Sequence, residues 1–390
     1  MKNYKRLGDY IREVNVRNRE LEVKKPMGIN IDKHFMPSVA NVIGTDLSTY
    51  KLVSKMQFAC NLMHVGRDEK IPMAMHIGDN PIIVSPAYFV FEVTNTDQLL
   101  PEYLMMWFRR PEFDRNAWFY TDADVRGGMG KESLLDMQLP IPSITHQREI
   151  VAEYETLTRR IRINEQMIQH LEDTAQALYR KMFVDGIDKE NLPEGWRMGT
   201  LEDLVEIIDG DRGVNYPKDT DLYPIGYCLF LNAGNVTSKG FNFDNKLYIT
   251  EEKSSLMRAG KLKRNDIIFT TRGTVGNFAL YSNEIPFEHM RINSGMVILR
   301  SSILSPIQYV YNLFHLPSFK QDIINYLSGS AQPQLPIKDF NRIPIIIPAM
   351  KLLDMFSNKS LIINKKIDVL KNENYKLVEI QSLLLAKMGL

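Results

Sequence analysis

The chain has 390 residues, of which 44% are hydrophobic and 24% are charged, and this length and composition predict a globular protein of two or three domains. Its 48 Lys and Arg residues are balanced by 47 Asp and Glu residues, so it lacks the strongly basic composition of a dedicated non-specific nucleic-acid binder. If it binds DNA, its basic residues must be clustered locally or a partner must supply the phosphate contacts.

Neither the cysteines nor the apolar segments point to secretion or to a membrane. Cys60 and Cys228 are too few for a disulfide framework or a four-ligand zinc site, and we expect free thiols. The opening segment MKNYKRLGDYIREV lacks the apolar stretch of a signal peptide, and the longest apolar runs contain prolines and are too short to span a bilayer. We therefore expect a cytoplasmic protein.

Residues 1–144 form a first unit of short elements. Leu7 to Val16 has the pattern of an amphipathic helix, and Leu100 to Phe108 predicts a second helix. The predicted strands are short, apolar and bounded by Gly, Pro, Asp or Asn: Phe35 to Ile43, Leu52 to Cys60, Pro81 to Val84 and Tyr88 to Val93. The Gly-rich loop VRGGMGKES and the extended segment LLDMQLPIP complete this unit.

A sustained heptad pattern follows, and it predicts a long helix. Thr145 is the expected N-cap and the helix is expected to end near Phe183, so that roughly 35 residues give about 50 Å of helix. Apolar residues recur at alternating steps of four and three, as in the a/d seam of a coiled coil. The predicted seam includes Leu157, Ile161, Ile168, Leu171 and Leu178.

A linker, VDGIDKENLPEGW, leads into a second unit that ends near residue 348. Leu201 to Ile208 repeats the pattern of the opening helix, and Ile307 to Leu316 predicts another helix. The predicted strands of this unit are Tyr227 to Leu231, Asp266 to Thr271, Asn277 to Tyr281 and Gly295 to Arg300.

The end of the second unit and the segment after it repeat the first half of the chain at a fixed offset of 206 residues (348 − 142). Pro142 and Lys181 match Pro348 and Lys387 at this offset, and the gapless repeat extends over the 80 residues 103–182. The second copy of the heptad seam includes Ile363, Ile367, Leu370, Leu377 and Leu384. Two matching seams in one chain predict an intramolecular coiled coil.

The repeat gives the order unit, helix, unit, helix. The predicted boundaries are 1–144 for the first unit, 145–188 for the first helix and linker, 189–348 for the second unit, and 349–390 for the second helix. Asn164 and Asn374, one in each seam, are candidates for fixing the register of the helix pair. The front halves of the two units share little sequence.

Motifs for catalysis are missing or incomplete. The loop VRGGMGKES fails the phosphate-loop pattern at two places, because Val125 stands where the first glycine is required and Glu132 follows the lysine. No hydrolase elbow, zinc-protease motif or tight His/Cys cluster occurs, so no metal site is predicted. We therefore predict that this chain is not itself an enzyme.

Polar and basic side chains gather in the loops between predicted strands of both units. Asn, Gln and Arg can read adenine and guanine edges in the major groove, whereas Ser, Thr and Lys suit phosphates. Taken one loop at a time, an ordinary polar turn explains these residues at least as well. The candidate DNA-binding residues are Asn61, His64, Arg67 and Arg126 in the first unit, and Asn232, Asn235, Thr271, Arg272, Thr274, Asn277, Gln332 and Gln334 in the second.

The order of these motifs resembles the DNA specificity subunit of type I restriction–modification systems. The resemblance rests on the LPEGW linker, the LxD motif opening each unit, the Arg272-Gly273-Thr274 turn, the loop from Ser328 to Leu335, and the Pro-rich exit before each long helix. It covers the whole chain. Each motif is weak alone, and their order and duplication make the match specific.

The resemblance implies an α+β fold in which two α/β target-recognition domains are separated by two long antiparallel helices, with pseudo-twofold symmetry. Each domain would read one half of a split, asymmetric site in double-stranded DNA, and the helices would set the spacer and dock two modification subunits. No cofactor is expected in this chain, because the modification subunits would bind S-adenosylmethionine. Restriction subunits would join the full complex.

Two alternatives stay open at this point. The first is a specificity subunit for a fused nuclease–methylase of the bipartite type II class. The second, from a different class of protein, is a coiled-coil scaffold that binds other proteins alone.

Overall fold

The computed structural model describes residues 4–39, 44–63, 65–121, 128–329 and 332–389, and for Arg67 the backbone alone. The chain divides into two compact units: unit 1 is Met1–Arg162 with Tyr375–Leu390, and unit 2 is Ile163–Asn374. Each unit therefore contains a part of both long helices. The boundaries predicted from the sequence divide the chain into recognition domains and spacer helices, and this functional division stays a prediction. In the described ranges, no helix combines the length and apolar character needed to cross a membrane.

The elements of the described ranges are short apart from two helices. The α-helices are α1 (Val65–Asp68), α2 (Pro101–Phe108), α3 (Pro111–Phe119), α4 (Lys131–Leu135), α5 (Ile144–Phe183), α6 (Glu251–Leu256), α7 (Leu304–Leu313), α8 (Pro317–Asn325), α9 (Ile337–Phe340) and α10 (Met350–Lys387). The strands of unit 1 are β1 (Tyr4–Arg6), β2 (Ile11–Glu13), β3 (Met27–Ile29), β4 (Phe35–Pro37), β5 (Lys51–Val53), β6 (Phe58–Cys60), β7 (Met73–Met75), β8 (Ile82–Val84), β9 (Phe89–Val93) and β10 (Gln138–Pro140). The strands of unit 2 are β11 (Arg197–Thr200), β12 (Glu206–Asp209), β13 (Cys228–Leu231), β14 (Val236–Thr237), β15 (Gly240–Phe241), β16 (Tyr248–Ile249), β17 (Ile267–Thr270), β18 (Phe278–Leu280), β19 (Met290–Ile292), β20 (Met296–Arg300) and β21 (Pro344–Ile347).

Both units are built on the same four-stranded antiparallel sheet. In unit 1 the strand order is β2-β9-β6-β7, and in unit 2 it is β12-β20-β17-β18. One face of each sheet packs on the helices that follow it. The ring centroids of Phe91 and Phe108 are 6.2 Å apart in unit 1, and those of Phe269 and Phe314 are 5.2 Å apart in unit 2. The duplicated frame predicted from the sequence is therefore present in the strand topology.

The remaining strands differ between the units. Unit 1 adds the two pairs β3-β4 and β5-β8, whereas unit 2 adds the three-stranded sheet β16-β13-β19 and the pair β14-β15. The closing halves match more closely. The strand before each long helix, β10 or β21, pairs antiparallel with the strand that opens its unit, β1 or β11. The first residues of α3 and α8, Pro111 and Pro317, and of α5 and α10, Ile144 and Met350, are each 206 positions apart.

The helices predicted at Leu7 to Val16 and at Leu201 to Ile208 are wrong. Each segment makes one 3-10 turn, at Leu7–Asp9 and Leu201–Asp203, and then becomes an outer strand of the four-stranded sheet. The cause is long-range pairing, since Ile11 lies opposite Val93 and Ile207 opposite Leu299. A short amphipathic run cannot show this pairing, because the partner strand lies elsewhere in the sequence.

The ends of the strands predicted in unit 2 agree with the structure within one or two residues. In unit 1, two of the predicted strands differ from the structure. Leu52 to Cys60 is not one strand but two, β5 and β6, because the chain turns at Met56, whose φ of 66° is incompatible with an extended strand. Of Phe35 to Ile43, only Phe35–Pro37 is a strand, and residues 40–43 lie outside the described ranges.

The two long helices pair antiparallel, as contacts within unit 2 show. Asn164 contacts Asn374, and further along α5 the ring of Tyr179 lies 5.6 Å from that of Phe356. Helices of 40 and 38 residues are about 60 and 57 Å long. The predicted seam residues of both helices are buried or half-buried along their length.

Polar residues in the second seam find hydrogen-bond partners instead of weakening it. The Ser360 hydroxyl donates to Gln308 Oε1 at 2.9 Å and is fully buried. In unit 1, the Gln381 amide donates to Thr158 Oγ1 at 2.7 Å. A buried polar group with its bonds made contributes to specificity at little net cost in stability.

The start of α5 is fixed by residues other than the predicted cap. Thr145 lies inside the first turn, so its assignment as N-cap is wrong, and the hydroxyl of Ser143 accepts from the N–H of His146 at 3.4 Å. Gln147 is fully buried and donates to the carbonyls of Gln98 and Pro142, at 2.8 and 2.9 Å, while its Oε1 accepts from Leu100 N–H at 2.9 Å. This side chain ties the helix to the body of unit 1.

The side chains of Asn164 and Asn374, the two candidates for fixing the register, are in contact. The Asn164 amide donates to Asn374 Oδ1 at 2.8 Å, and Asn164 is 2% exposed. Both residues belong to unit 2. An amide pair among apolar seam positions is satisfied in one alignment of the helices, so it disfavours shifted registers.

We expect Asn374→Leu to destabilise the protein by about 1–3 kcal/mol, because the Asn164 amide would stay buried without its partner. The double variant Asn164→Leu, Asn374→Leu is expected to be as stable as the wild type or more so. Urea unfolding of the wild type, both single variants and the double variant measures the coupling. Additive losses in the double variant would show that the two amides do not stabilise each other.

Candidate nucleic-acid interface

In unit 2, several loops leave the four-stranded sheet at the same edge. The strand β17 ends at Thr270 opposite Met296, the first residue of β20, and β12 ends at Asp209 opposite Val297. Phe278, the first residue of β18, lies opposite Phe269. The segments 210–213, 271–277 and 293–295 therefore lie side by side.

Hydrogen bonds bring two further loops to this edge. The N–H of Leu335 donates to Thr271 O at 3.0 Å, and Arg272 forms a β-bridge with Gln334. The Asn277 side chain donates to Val236 O at 3.0 Å. We define the loop edge of unit 2 as the described residues of the segments 210–213, 232–237, 271–277, 293–295 and 328–335.

Four of the predicted DNA-binding residues hold the loop edge together. Asn235 is 3% exposed, its amide donates to the carbonyls of Asn242 and Asn245, and its Oδ1 accepts from the N–H of Asn232. The Asn232 side chain in turn accepts from Gly234 N–H at 2.8 Å. The hydroxyl of the buried Thr271 donates to Gly295 O at 3.1 Å, and Asn277 holds Val236. Their geometry supports a role in shaping the loops.

The other four predicted residues present free polar groups at the same edge. Arg272, Thr274 and Gln332 are exposed, and Gln334 is half-buried. Among the described residues, none of these four side chains has a hydrogen-bond or ion-pair partner. Gly273 adopts a φ of +72° between Arg272 and Thr274, a conformation that glycine adopts readily. The turn therefore exposes the side chains of Arg272 and Thr274, which have no such partner in the part of the chain that the structure describes.

Arg212 also lies at this edge and was missed in the sequence. Its guanidinium donates to Ser294 O at 3.4 Å and to Asp209 Oδ1 at 3.2 Å, and the side chain is 47% exposed. The buried Asp211 joins this loop to the segment at Arg258, since its carboxylate accepts from the N–H groups of Gly213 and Arg258, at 2.6 and 2.5 Å. Burial alone would raise the pKa of Asp211, but these donors outweigh it and the pKa is lowered. The sequence signal that could have identified Arg212 is its position in the loop directly after β12, a strand of the same sheet.

Unit 1 has an equivalent loop edge. The strand β6 ends at Cys60 opposite Met73, the first residue of β7, so the segment 61–72 leaves the sheet where 271–277 does in unit 2. The N–H of Met129 donates to Leu62 O at 2.9 Å, as Leu335 does to Thr271 O. Met129 and Leu335 are 206 positions apart, so the same hydrogen bond anchors the closing loop in both units.

The predicted binding residues of unit 1 are only partly described. The Asn61 side chain accepts from Met63 N–H at 3.0 Å. Arg67 belongs to α1, and its side chain lies outside the described part of the structure, as do His64 and Arg126. Their assignment to DNA stays a prediction.

A buried ion pair anchors the far end of the 61–72 segment. Asp114 Oδ1 accepts from Ile71 N–H at 3.2 Å and from Lys33 Nζ at 2.7 Å, and both side chains are largely buried. Burial lowers the pKa of Lys33, and the Asp114 carboxylate opposes this shift. Lys33 and Asp114 are far apart in sequence, so no local pattern reveals the pair.

No metal site emerges from the described residues. Cys60 and Cys228 are buried free thiols, and burial raises the pKa of both. Within the described ranges, no group of three or more His, Cys, Asp or Glu side chains is arranged to hold an ion.

Comparison with known proteins relates the chain to one family and one fold. The family model for the type I restriction modification DNA specificity domain matches residues 193–372. This segment is similar to type I DNA specificity domains. It contains the whole loop edge of unit 2, including Arg212, Arg272 and Gln334. The recognition of the chain as a type I specificity subunit, made from the sequence, is confirmed.

Similar proteins carry the same description. The type I restriction enzyme HindI specificity subunit of Haemophilus influenzae is 23% identical over 389 residues, covering 78% of this chain and 80% of that protein. The protein described as the putative type I restriction enzyme MjaX specificity subunit of Methanocaldococcus jannaschii is 26% identical over 192 residues, covering 46% of this chain and 43% of that protein.

A solved structure shares the fold. The type I restriction-modification S subunit from M. genitalium superposes with a TM-score of 0.60 at 13% identity, covering 100% of this chain and 96% of that chain. The predicted α+β fold class with two long helices is thereby confirmed.

We expect Asn235→Ala to destabilise the loop edge of unit 2 more than Asn232→Ala. The first substitution removes three hydrogen bonds of the buried Asn235 side chain, at about 1 kcal/mol each, whereas the second removes one exposed cap of about 1 kcal/mol. Hydrogen exchange of residues 232–245 measures the difference. Equal protection in both variants would contradict the structural role of Asn235.

Proposed function

We propose that this chain is the non-catalytic DNA-reading subunit of a type I restriction–modification complex, and that each unit reads one half of a bipartite site through its loop edge. The observation that carries the proposal is the duplication of the loop edge with its anchoring hydrogen bond, from Met129 to Leu62 and from Leu335 to Thr271, on two equivalent sheets. The loops themselves differ, so the two half-sites would differ in sequence.

The free side chains of unit 2 suit base reading. The Arg272 guanidinium can donate two hydrogen bonds to guanine O6 and N7, and a Gln amide at 332 or 334 can bind adenine N6 and N7. The Thr274 hydroxyl suits a phosphate. Because Arg272 and Gln332 are exposed and have no partners among the described residues, binding would break no internal bond there.

Partners would complete the function. The 48 basic residues of this chain are balanced by 47 acidic ones, so its net charge of +1 gives little overall attraction for the DNA backbone, and other subunits would contribute phosphate contacts. In the proposed complex, two modification subunits bind S-adenosylmethionine and methylate the DNA, and restriction subunits join them. This chain contributes sequence recognition, and its paired helices α5 and α10 set the distance between the half-sites.

We expect Arg272→Ala to weaken binding of the reconstituted methyltransferase to its mapped target by about 1–3 kcal/mol, because a bidentate base contact is lost. Gel shift at fixed salt, with target and scrambled DNA, measures the loss. Arg342→Ala is the matched control, since it removes an exposed arginine of unit 2 that lies outside the loop edge and should leave affinity unchanged. Equal affinity of the wild-type complex for scrambled DNA would contradict the proposal itself.

Inserting one heptad after Arg162 in α5 and one after Asn374 in α10 preserves the seam and lengthens both helices by about 10 Å. We expect the spacer of the target to grow by about three base pairs, at about 3.4 Å each, with both half-sites unchanged. Methylation mapping of the host genome measures this. A heptad inserted into the linker 185–191 is the control and should not change the spacer, and an unchanged spacer in the double insertion would show that the helices are not the ruler.

A further inference from the structure

The end of α3 exposes three consecutive aromatic rings in unit 1. Trp118, Phe119 and Tyr120 are 49%, 80% and 51% exposed, and the ring of Phe119 packs edge-on against that of Tyr120 at 5.5 Å. The packing face of the same helix is separate, since Phe113 and Ala117 are buried in the core of unit 1. A cluster of exposed rings that the core does not use marks a binding surface.

Hydrogen bonds place this aromatic end of α3 at the loop edge of unit 1. Thr121, the next residue, forms a β-bridge with Met129, and its hydroxyl donates to Trp118 O at 2.7 Å. The N–H of Met129 in turn donates to Leu62 O at 2.9 Å, in the segment 61–72. The rings are therefore continuous with the loops that leave the four-stranded sheet at this edge.

The exposed face of α3 also carries polar groups beside the rings. Arg115 lies one helical turn before Phe119, and its side chain is 71% exposed. Its guanidinium is 3.3 Å from Glu112 Oε1, but an ion pair this exposed is weak, so a phosphate can replace the carboxylate. Asn116 is exposed one turn before Tyr120. Side chains that suit phosphates thus stand next to rings that can stack on bases.

Unit 2 has the same helix without this combination. The helix α8 has nine residues, as α3 has, and begins 206 positions later. Its packing face is alike, since Phe319 is buried as Phe113 is. Its exposed face differs, because the counterparts of Arg115, Trp118 and Phe119 are Gln321, Ile324 and Asn325. The repeated frame therefore does not require the rings of unit 1.

We propose that Phe119 inserts between two base pairs of the half-site that unit 1 contacts, with Arg115 holding a phosphate beside it. This inference rests on the proposed function, in which the loop edge faces DNA. Continuity with that edge and the adjacent arginine favour duplex DNA as the occupant. An apolar ring that enters a base step unstacks it and kinks the duplex. Because Asn325 stands at the equivalent position of unit 2, the distortion is expected in one half-site only.

The first test measures base stacking in the target. The fluorescent base 2-aminopurine, which brightens when it is unstacked, replaces single purines of the mapped site, and the reconstituted methyltransferase is added. The methylated adenines stay unlabelled, because a methyltransferase extrudes its target base. We expect brightening at one step of one half-site, which is lost in Phe119→Asn and kept in Phe119→Trp. Phe119→Asn, which installs the residue of unit 2, should also weaken binding about tenfold, because stacking on one base is lost.

Ile77→Asn is the matched control. It removes another apolar side chain of unit 1 that is 73% exposed, in the segment between β7 and β8. That segment leaves the sheet at the edge opposite the loop edge, because Met75 at the end of β7 lies opposite Phe58 at the start of β6. Ile77→Asn should change neither the affinity nor the brightening. Equal losses of affinity in Ile77→Asn and Phe119→Asn, or unchanged brightening in Phe119→Asn, would overturn the proposal.

Trp118 reports whether this surface is open in the free chain. Its fluorescence is obtained as the difference between the wild type and Trp118→Phe, since Trp107 and Trp196 are present in both. We expect acrylamide to quench this component in the free chain, and target DNA to protect it in the assembled complex. A Trp118 component that is already shielded in the free chain would overturn the proposal, because the chain would then cover its own rings.

Failure of this inference can be told apart from failure of the proposed function. Equal affinity of the wild-type complex for target and scrambled DNA contradicts the proposed function. Phe119→Asn should weaken binding even then, because a ring stacks on any base. A wild-type complex that prefers its target while Phe119→Asn changes neither affinity nor brightening would overturn the role of Phe119 alone. Loss of assembly with the modification subunit in Phe119→Asn without DNA would also overturn it, and would assign the rings to a protein partner.

Discussion

The antiparallel pairing of α5 with α10 is the constraint on which both compact units depend. Val151 and Tyr154 of α5, together with Leu385 and Met388 of α10, belong to the core of unit 1. In the core of unit 2, Tyr179 of α5 packs on Phe356 of α10. Neither core is complete without residues from both helices. Unit 1 in particular needs the last turns of the chain, so its folding depends on contacts of very long sequence separation, which form slowly.

The sequence predicts the parts of this fold whose pattern is long and local. The heptad seam and the offset of 206 predicted both long helices, and the structure begins them at Ile144 and Met350, 206 positions apart. The helix prediction for the short segment after Leu7 was wrong, because its strand conformation is determined by the pairing of Ile11 with Val93 and not by the periodicity of its own sequence. A few residues with alternating apolar character are compatible with a helix or a strand, and the choice lies in the partner.

Site prediction has a related limit. Sequence reasoning selected the loops of unit 2 because they were rich in Asn, Gln, Thr and Arg, but it could not separate polar groups that bind each other from polar groups that are free. The Asn235 amide donates hydrogen bonds to the carbonyls of Asn242 and Asn245, whereas the Arg272 side chain has no partner among the described residues. The separation depends on the positions of backbone carbonyls from distant segments. The same dependence concealed Arg212, whose contact with Ser294 spans the sheet edge.

The two copies also show how a repeated frame tolerates different interiors. The buried amide of Gln147, which ties α5 to unit 1, corresponds to Leu353 in α10, which is also fully buried. The hydrogen-bonded pair Gln308 and Ser360 of unit 2 corresponds to Glu102 and Tyr154 in unit 1. The strand order and the helix pairing are therefore the same in both units, although polar residues at some positions of one unit correspond to apolar residues in the other. Because the frame fixes where each loop edge begins and ends, the loops can differ between the copies, and one architecture can present two unlike loop surfaces.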